Sequence, residues 1–129
     1  MNPSGNELQL YKDKFRLELN NILNWWKDHA VEKNGDGFYG AADLDGNPVP
    51  EANKSCVLNA RILWTFSAAA KMHGNTAYRD IATRAFKVIS EKFTDHEFGG
   101  FFMELTPENK IASDIKQLPP ARMQSRQQN

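Results

Sequence analysis

The chain has 129 residues, enough for one domain with a modest core, and its 40% apolar and 25% charged content is that of a globular protein rather than a disordered or fibrous one. Sixteen basic residues balance sixteen acidic ones, so no net field draws the protein toward nucleic acid or an anionic membrane surface. The first seven residues lack the basic start and apolar run of a signal peptide, and the most apolar stretch, 56–70, is broken by Asn59 and Arg61; a cytoplasmic protein without a membrane span is expected.

Leu8, Tyr11, Phe15, Leu19, Ile22 and Trp26 recur at spacings of three and four, with Lys12, Lys14, Arg16, Glu18 and Asn20 between them. That spacing predicts a long amphipathic helix ending near Ala30. Asn34-Gly35-Asp36-Gly37 then tolerates positive φ, the aromatic pair Phe38-Tyr39 follows, and Asp43-Leu44-Asp45-Gly46-Asn47-Pro48 gives a second turn signal. A short β-hairpin or a structured loop is expected there.

The next helix is predicted over 54–73, and Cys56, Val57, Leu58, Ala60, Ile62, Leu63, Trp64, Phe66, Ala68, Ala69, Ala70 and Met72 cover most of its circumference. Such a helix calls for neighbours on nearly every side. Cys56, the single cysteine, cannot form an internal disulfide; with no basic cluster beside it, it reads as a buried core residue rather than a nucleophile.

Gly74 suits a helix C-terminus and Asn75 or Thr76 an N-cap, after which Tyr78, Ile81, Ala82, Ala85, Phe86, Ile89 and Phe93 mark one face of a third, outer helix. Asp95-His96-Glu97-Phe98-Gly99-Gly100, then Phe101 to Leu105 and a turn at Thr106-Pro107-Glu108-Asn109, repeat the composition of the earlier loop. Gly37-Phe38-Tyr39 and Gly100-Phe101-Phe102 are counterparts 63 residues apart, which points to a repeat built from helical hairpins. Past Ala112 the pattern fails: Leu118-Pro119-Pro120 breaks any further helix, and the Arg/Gln-rich residues 121–129 have little to bury. The division expected is therefore a helical region over 5–117 and a disordered tail over 118–129, the tail being out of frame with what precedes it.

Three segments carry a family resemblance: Asn34-Gly35-Asp36-Gly37-Phe38-Tyr39-Gly40, Val57-Leu58-Asn59-Ala60-Arg61-Ile62-Leu63-Trp64-Thr65-Phe66-Ser67, and Glu97-Phe98-Gly99-Gly100-Phe101-Phe102. Together they resemble the opening of a cellobiose 2-epimerase, in the N-acylglucosamine 2-epimerase superfamily. The resemblance implies an all-α fold, a partial (α/α)6 barrel of helical hairpins with short β-hairpin loops. This chain would hold about two of six repeats in a whole of roughly 380 residues. It also implies inversion at C2 of the reducing-end glucose of a disaccharide such as cellobiose or lactose, through a ring-opened cis-enediol and without a cofactor.

That chemistry needs two acid/base groups near neutral pKa on opposite faces of the enediol and a donor for the enolate oxygen. The resemblance places Arg61 on an inner helix, aimed at O1 and O2 of the sugar, where its planar fork matches two adjacent oxygens. The plainer reading pairs Arg61 with a carboxylate of a neighbouring hairpin. Asn59, 200° around the helix from Arg61, is better suited to bonding a loop backbone than to the site. Tyr39, Trp25, Trp26 and Phe101 could stack on sugar rings, although aromatics at such positions more often pack.

No catalytic residue is expected within this chain. The acid/base histidines of the family lie later, whereas His29 and His73 fall at helix ends, where capping suits them, and His96 in a loop. The run Glu32-x-Asn34-x-Asp36-Gly37 to Asp43 only partly matches a calcium loop, so no metal site is assigned. Two other functions compete with an inactive epimerase fragment. A glycoside hydrolase of toroidal fold needs a carboxylate pair, and Asp43 and Asp45 sit in a solvated turn. A non-enzymatic module would use the exposed inner helix for self-association.

Overall fold

The computed structural model describes residues 4–113 and 116–117, so the expected tail over 118–129 lies outside the described residues. The chain is mostly helical. Helix α1 spans Gly5–His29, α2 Cys56–His73 and α3 Thr76–Val88, the last continued by a π-helical turn, Ile89–Phe93.

Each helix begins on a side-chain cap. Ser4 and Glu7 form a reciprocal capping box at α1, which the sequence pattern above had overlooked, so the helix starts three residues before Leu8. Ser55 accepts from Leu58 N–H at α2, and Asn75 accepts from Ala77 N–H at α3. Gly74 ends α2 in the left-handed conformation, φ 61°, as a C-terminal glycine should.

Four two-residue strands accompany the helices, but they pair across the chain and not within the short hairpin loops that were expected. Strand β1 (Lys54–Ser55) pairs antiparallel with β3 (Glu104–Leu105), and β2 (Phe101–Phe102) pairs antiparallel with β4 (Lys116–Gln117). The β1–β3 pairing joins segments about fifty residues apart and fixes the register of Lys54 opposite Leu105. A local alternation of residue types cannot reveal such a pairing. In the first loop, Val31–Phe38 and Ala42–Pro48 form isolated bridges only, so it is a structured loop and not a hairpin of regular strands.

The main core lies between α2 and α3, where Ile62, Phe66 and Ala69 meet Tyr78, Ile81, Ala82 and Ala85, with Leu23, Ala30 and Phe38 closing one side. A second cluster gathers Val88, Phe93 and Leu105, with Cys56 and Phe102 against it. Cys56 is half-buried rather than fully enclosed, and burial pushes its thiol pKa up, away from thiolate chemistry.

Burial departs from the apolar patterning on each helix. On α1 the core side is Leu19, Leu23 and Trp26, with Ala30 just past its end, while Leu8, Tyr11, Phe15 and Ile22 of the apolar stripe are exposed. On α2 only one side is covered, leaving Val57, Trp64 and Met72 in the open. On α3 the buried stripe runs through Tyr78, Ile81, Ala82, Ala85 and Val88, and Phe86, one position round from Ala85, falls outside it and is exposed.

The 63-residue spacing appears in the bonding itself. The bridge Val31–Phe38 has its counterpart in Thr94–Phe101. Glu32 N–H donates to Gly37 O at 3.0 Å, and Asp95 N–H to Gly100 O at 3.0 Å. Gly46 N–H donates to Asp43 O and Asn109 N–H to Thr106 O, with Gly46 and Asn109 both at positive φ. Among the described residues no helix is long and apolar enough to cross a membrane.

Candidate functional site

The exposed face of α2 carries the candidate site. The same 3.6-residue period that sends Ile62, Phe66 and Ala69 into the core turns Val57, Ala60, Arg61, Trp64 and Thr65 outward. These five residues line one open depression of about 520 Å³. Trp64 is 75% exposed, an unusual position for an indole in a small domain, and sits one turn from Arg61.

Among the described residues Arg61 has no ion-pair partner, so the carboxylate partnership weighed above is not realised there. Beside an indole face and a threonine hydroxyl, this surface offers planar bidentate donors, a stacking platform and a small polar group.

The other two predicted site residues lie elsewhere. Asn59 is buried on the core side; its Nδ2 donates to the Ser55 carbonyl at 2.9 Å, as the helical angle suggested, and its Oδ1 finds no partner among the described residues. Tyr39 lines a separate depression of about 150 Å³ with Trp25, Trp26, His29 and Leu58, and its hydroxyl accepts from Lys33 N–H at 3.2 Å. Neither shares the Arg61 depression.

The aromatic residues divide. Trp25 stacks on His29 at 4.7 Å and meets Trp26 edge-on at 5.6 Å, so its rings serve packing at the end of α1. His29 donates from Nδ1 to the Trp25 carbonyl at 2.8 Å, the helix-end role expected of it. His73 lies edge-on to Tyr78 and His96 is exposed in its loop; none of the three lines the Arg61 depression.

Two of the carboxylates considered for hydrolysis or calcium, Asp43 and Glu32, are engaged by their own surroundings. Asp43 accepts from the backbone N–H groups of Asn47 and Asp45, and those bonds, the Asn47 one foremost, hold its carboxyl below the usual carboxylate range. Glu32 is bound to Lys54 at 2.6 Å.

The family model for N-acylglucosamine 2-epimerase matches residues 37–118, well over half of the chain. The chain belongs to the N-acylglucosamine 2-epimerase family. Within it, the chain is 35% identical over 111 residues to the cellobiose 2-epimerase of Bacteroides fragilis, covering 85% of this chain and 28% of that protein. The Ruminococcus albus cellobiose 2-epimerase is 32% identical over 104 residues, covering 80% of this chain and 26% of the relative. Among solved structures, the cellobiose 2-epimerase from Spirochaeta thermophila superposes with a TM-score of 0.74 at 31% identity, covering 89% of this chain and 29% of that one. This family member thus spans little more than a quarter of the length of the relatives it matches.

Sequence reasoning chose Arg61 and passed over Trp64, which it read only as part of an apolar helix. The available signal was the three-residue offset from Arg61, which puts both on one helical face.

Proposed function

We propose that this chain supplies about two of the six repeats of an (α/α)6 sugar 2-epimerase of the cellobiose 2-epimerase type, and that it binds and orients a disaccharide without epimerising it alone. One observation carries this reading: Arg61, unpaired among the described residues, stands with Trp64 on the uncovered face of an otherwise packed helix. An arginine fork reaching two adjacent sugar oxygens could hold the aldehyde oxygen and its neighbour while charge develops there. Inversion at C2 additionally requires one group to remove the C2 proton and another to deliver a proton to the opposite face. None of His29, His73 and His96 borders the depression that holds Arg61, so the proton-transfer pair is assigned to chain beyond these residues.

The exposed faces of α1 and α2 fit the same architecture. Phe15, Ile22 and Trp25 on α1 occupy positions 63 residues before Tyr78, Ala85 and Val88, which pack α3 in the core. An inner helix like α2 would cover them in the same way. A second reading, self-association of this chain, rests on the same uncovered residues.

The test is to incubate the 129-residue chain with cellobiose in deuterated water and follow the C2 proton, while saturation-transfer NMR reports binding. Binding that disappears in Arg61→Ala, with no deuterium entering C2, is the expected result. Exchange at C2 would overturn the division of labour, and identical sugar signals with and without Arg61 would sink the orienting role. Concentration-dependent mass in light scattering, without sugar binding, would favour the second reading.

A further inference from the structure

We infer that Lys54, Glu32 and Asn109 form a polar clamp that positions α2, and with it the Arg61 and Trp64 face. The side chain of Lys54 is only 5% exposed and that of Glu32 18%, and the ammonium meets Glu32 Oε1 at 2.6 Å. Lys54 also donates to Asn109 Oδ1 at 3.0 Å. The three residues come from three different segments: the start of the connection that follows α1, the strand that leads into α2, and the turn after β3.

The surrounding backbone is shaped to the pair. Gly37 lies where a Cβ would sit 3.0 Å from Glu32 Oε1 and 3.9 Å from Lys54 Nζ, so any side chain there would crowd the ions. The loop that wraps Glu32 is held in turn by α3, since Arg84 Nη1 donates to the Gly35 carbonyl at 3.0 Å and the Gly37 carbonyl at 3.1 Å. Asn109 reaches Lys54 from a left-handed backbone conformation, φ 65°. The segments around all three helices are thereby tied to one partly buried ion pair.

Apolar packing of α2 on α3 is non-directional and tolerates small sliding and rotation, whereas hydrogen bonds to a buried ammonium do not. Lys54 lies two residues before the helix, and its backbone is paired with Leu105 while Ser55 caps the first turn. Fixing this end sets where the outward face of α2 points two turns later. Lys54 is a positioning residue in this scheme and touches no substrate.

The inference rests on the reading of Arg61 as the sugar-facing donor, but its test needs no sugar. In labelled 129-residue chain, the Arg61 Nε–H and Trp64 indole N–H signals report the pose of α2. Lys54→Met and the milder Asn109→Gly, which keeps the left-handed backbone and removes only the acceptor, are expected to shift both signals, Lys54→Met more. Ile81→Val, a loss of packing without loss of a directional bond, is expected to leave them in place. Should Lys54→Met fail to fold, Asn109→Gly decides. Signals at wild-type positions in the folded clamp variants, with changes confined to the amides of 35–39, would overturn the inference. Failure of cellobiose to bind would overturn the sugar reading and leave this result standing.

Discussion

Helices α1 and α3 occupy equivalent places 63 residues apart, yet they bury different faces. Tyr78 on α3 is 3% exposed, and its counterpart Phe15 on α1 is 73% exposed. Both are large aromatics at the same point of an amphipathic pattern. The difference is the neighbour: α2 lies against that face of α3, and no described element lies against the Phe15 face of α1. An apolar stripe states that a face wants cover, and only the arrangement of other elements says whether cover is present.

This contrast predicts unequal responses to equal changes. Tyr78→Ala should destabilise by about 3 kcal/mol, because it opens a cavity between α2 and α3, whereas Phe15→Ala should stay within about 0.5 kcal/mol. Urea unfolding of the two variants checks this, and a comparable loss for both would mean that α1 is covered in solution by another copy. At the next pair, Ala85→Leu should cost about 2 kcal/mol by overpacking a fully buried site, while Ile22→Phe, which enlarges its exposed counterpart, should be almost neutral. Thermal melts of these variants sharpen the same comparison with volume added instead of removed.

The smallest expected effect lies in the two equivalent turns. The side chain of Asp43 accepts from Asn47 N–H and that of Thr106 from Lys110 N–H, so one turn is held by a titratable group and the other by a neutral one. The Asp43 pKa is lowered in the fold, chiefly by the Asn47 backbone bond, so its contribution is present above the ordinary carboxylate pKa and lost as pH falls through the depressed value. Acid titration followed by NMR should move the Asn47 amide and leave the Lys110 amide in place. Equal movement of both would show general unfolding instead.

Much of the molecule was legible before any coordinates. The α2 and α3 helices, Gly74 and Asn75 between them, the 63-residue offset and the helix-end histidine His29 all follow from local rules of capping, φ preference and period. The capping box of Ser4 and Glu7 was equally available and went unread. Arg61 could be singled out because a charge on an apolar helix requires a partner or a purpose.

Other features had no local signature. The pairing of β1 with β3 and the Glu32–Lys54–Asn109 clamp join residues that are remote in sequence. The exposure of Trp64 could not be read from a helix that is apolar on most sides.

The sequence alone determined which segments are helical and the family to which the chain belongs, because these depend on short-range backbone preferences and on matched motifs. Only the tertiary structure decided which apolar faces are buried, that Arg61 and Trp64 share an open surface, and that one partly buried ion pair ties three segments together. Those outcomes depend on which elements become neighbours, and burial free energy is realised only when a neighbour arrives.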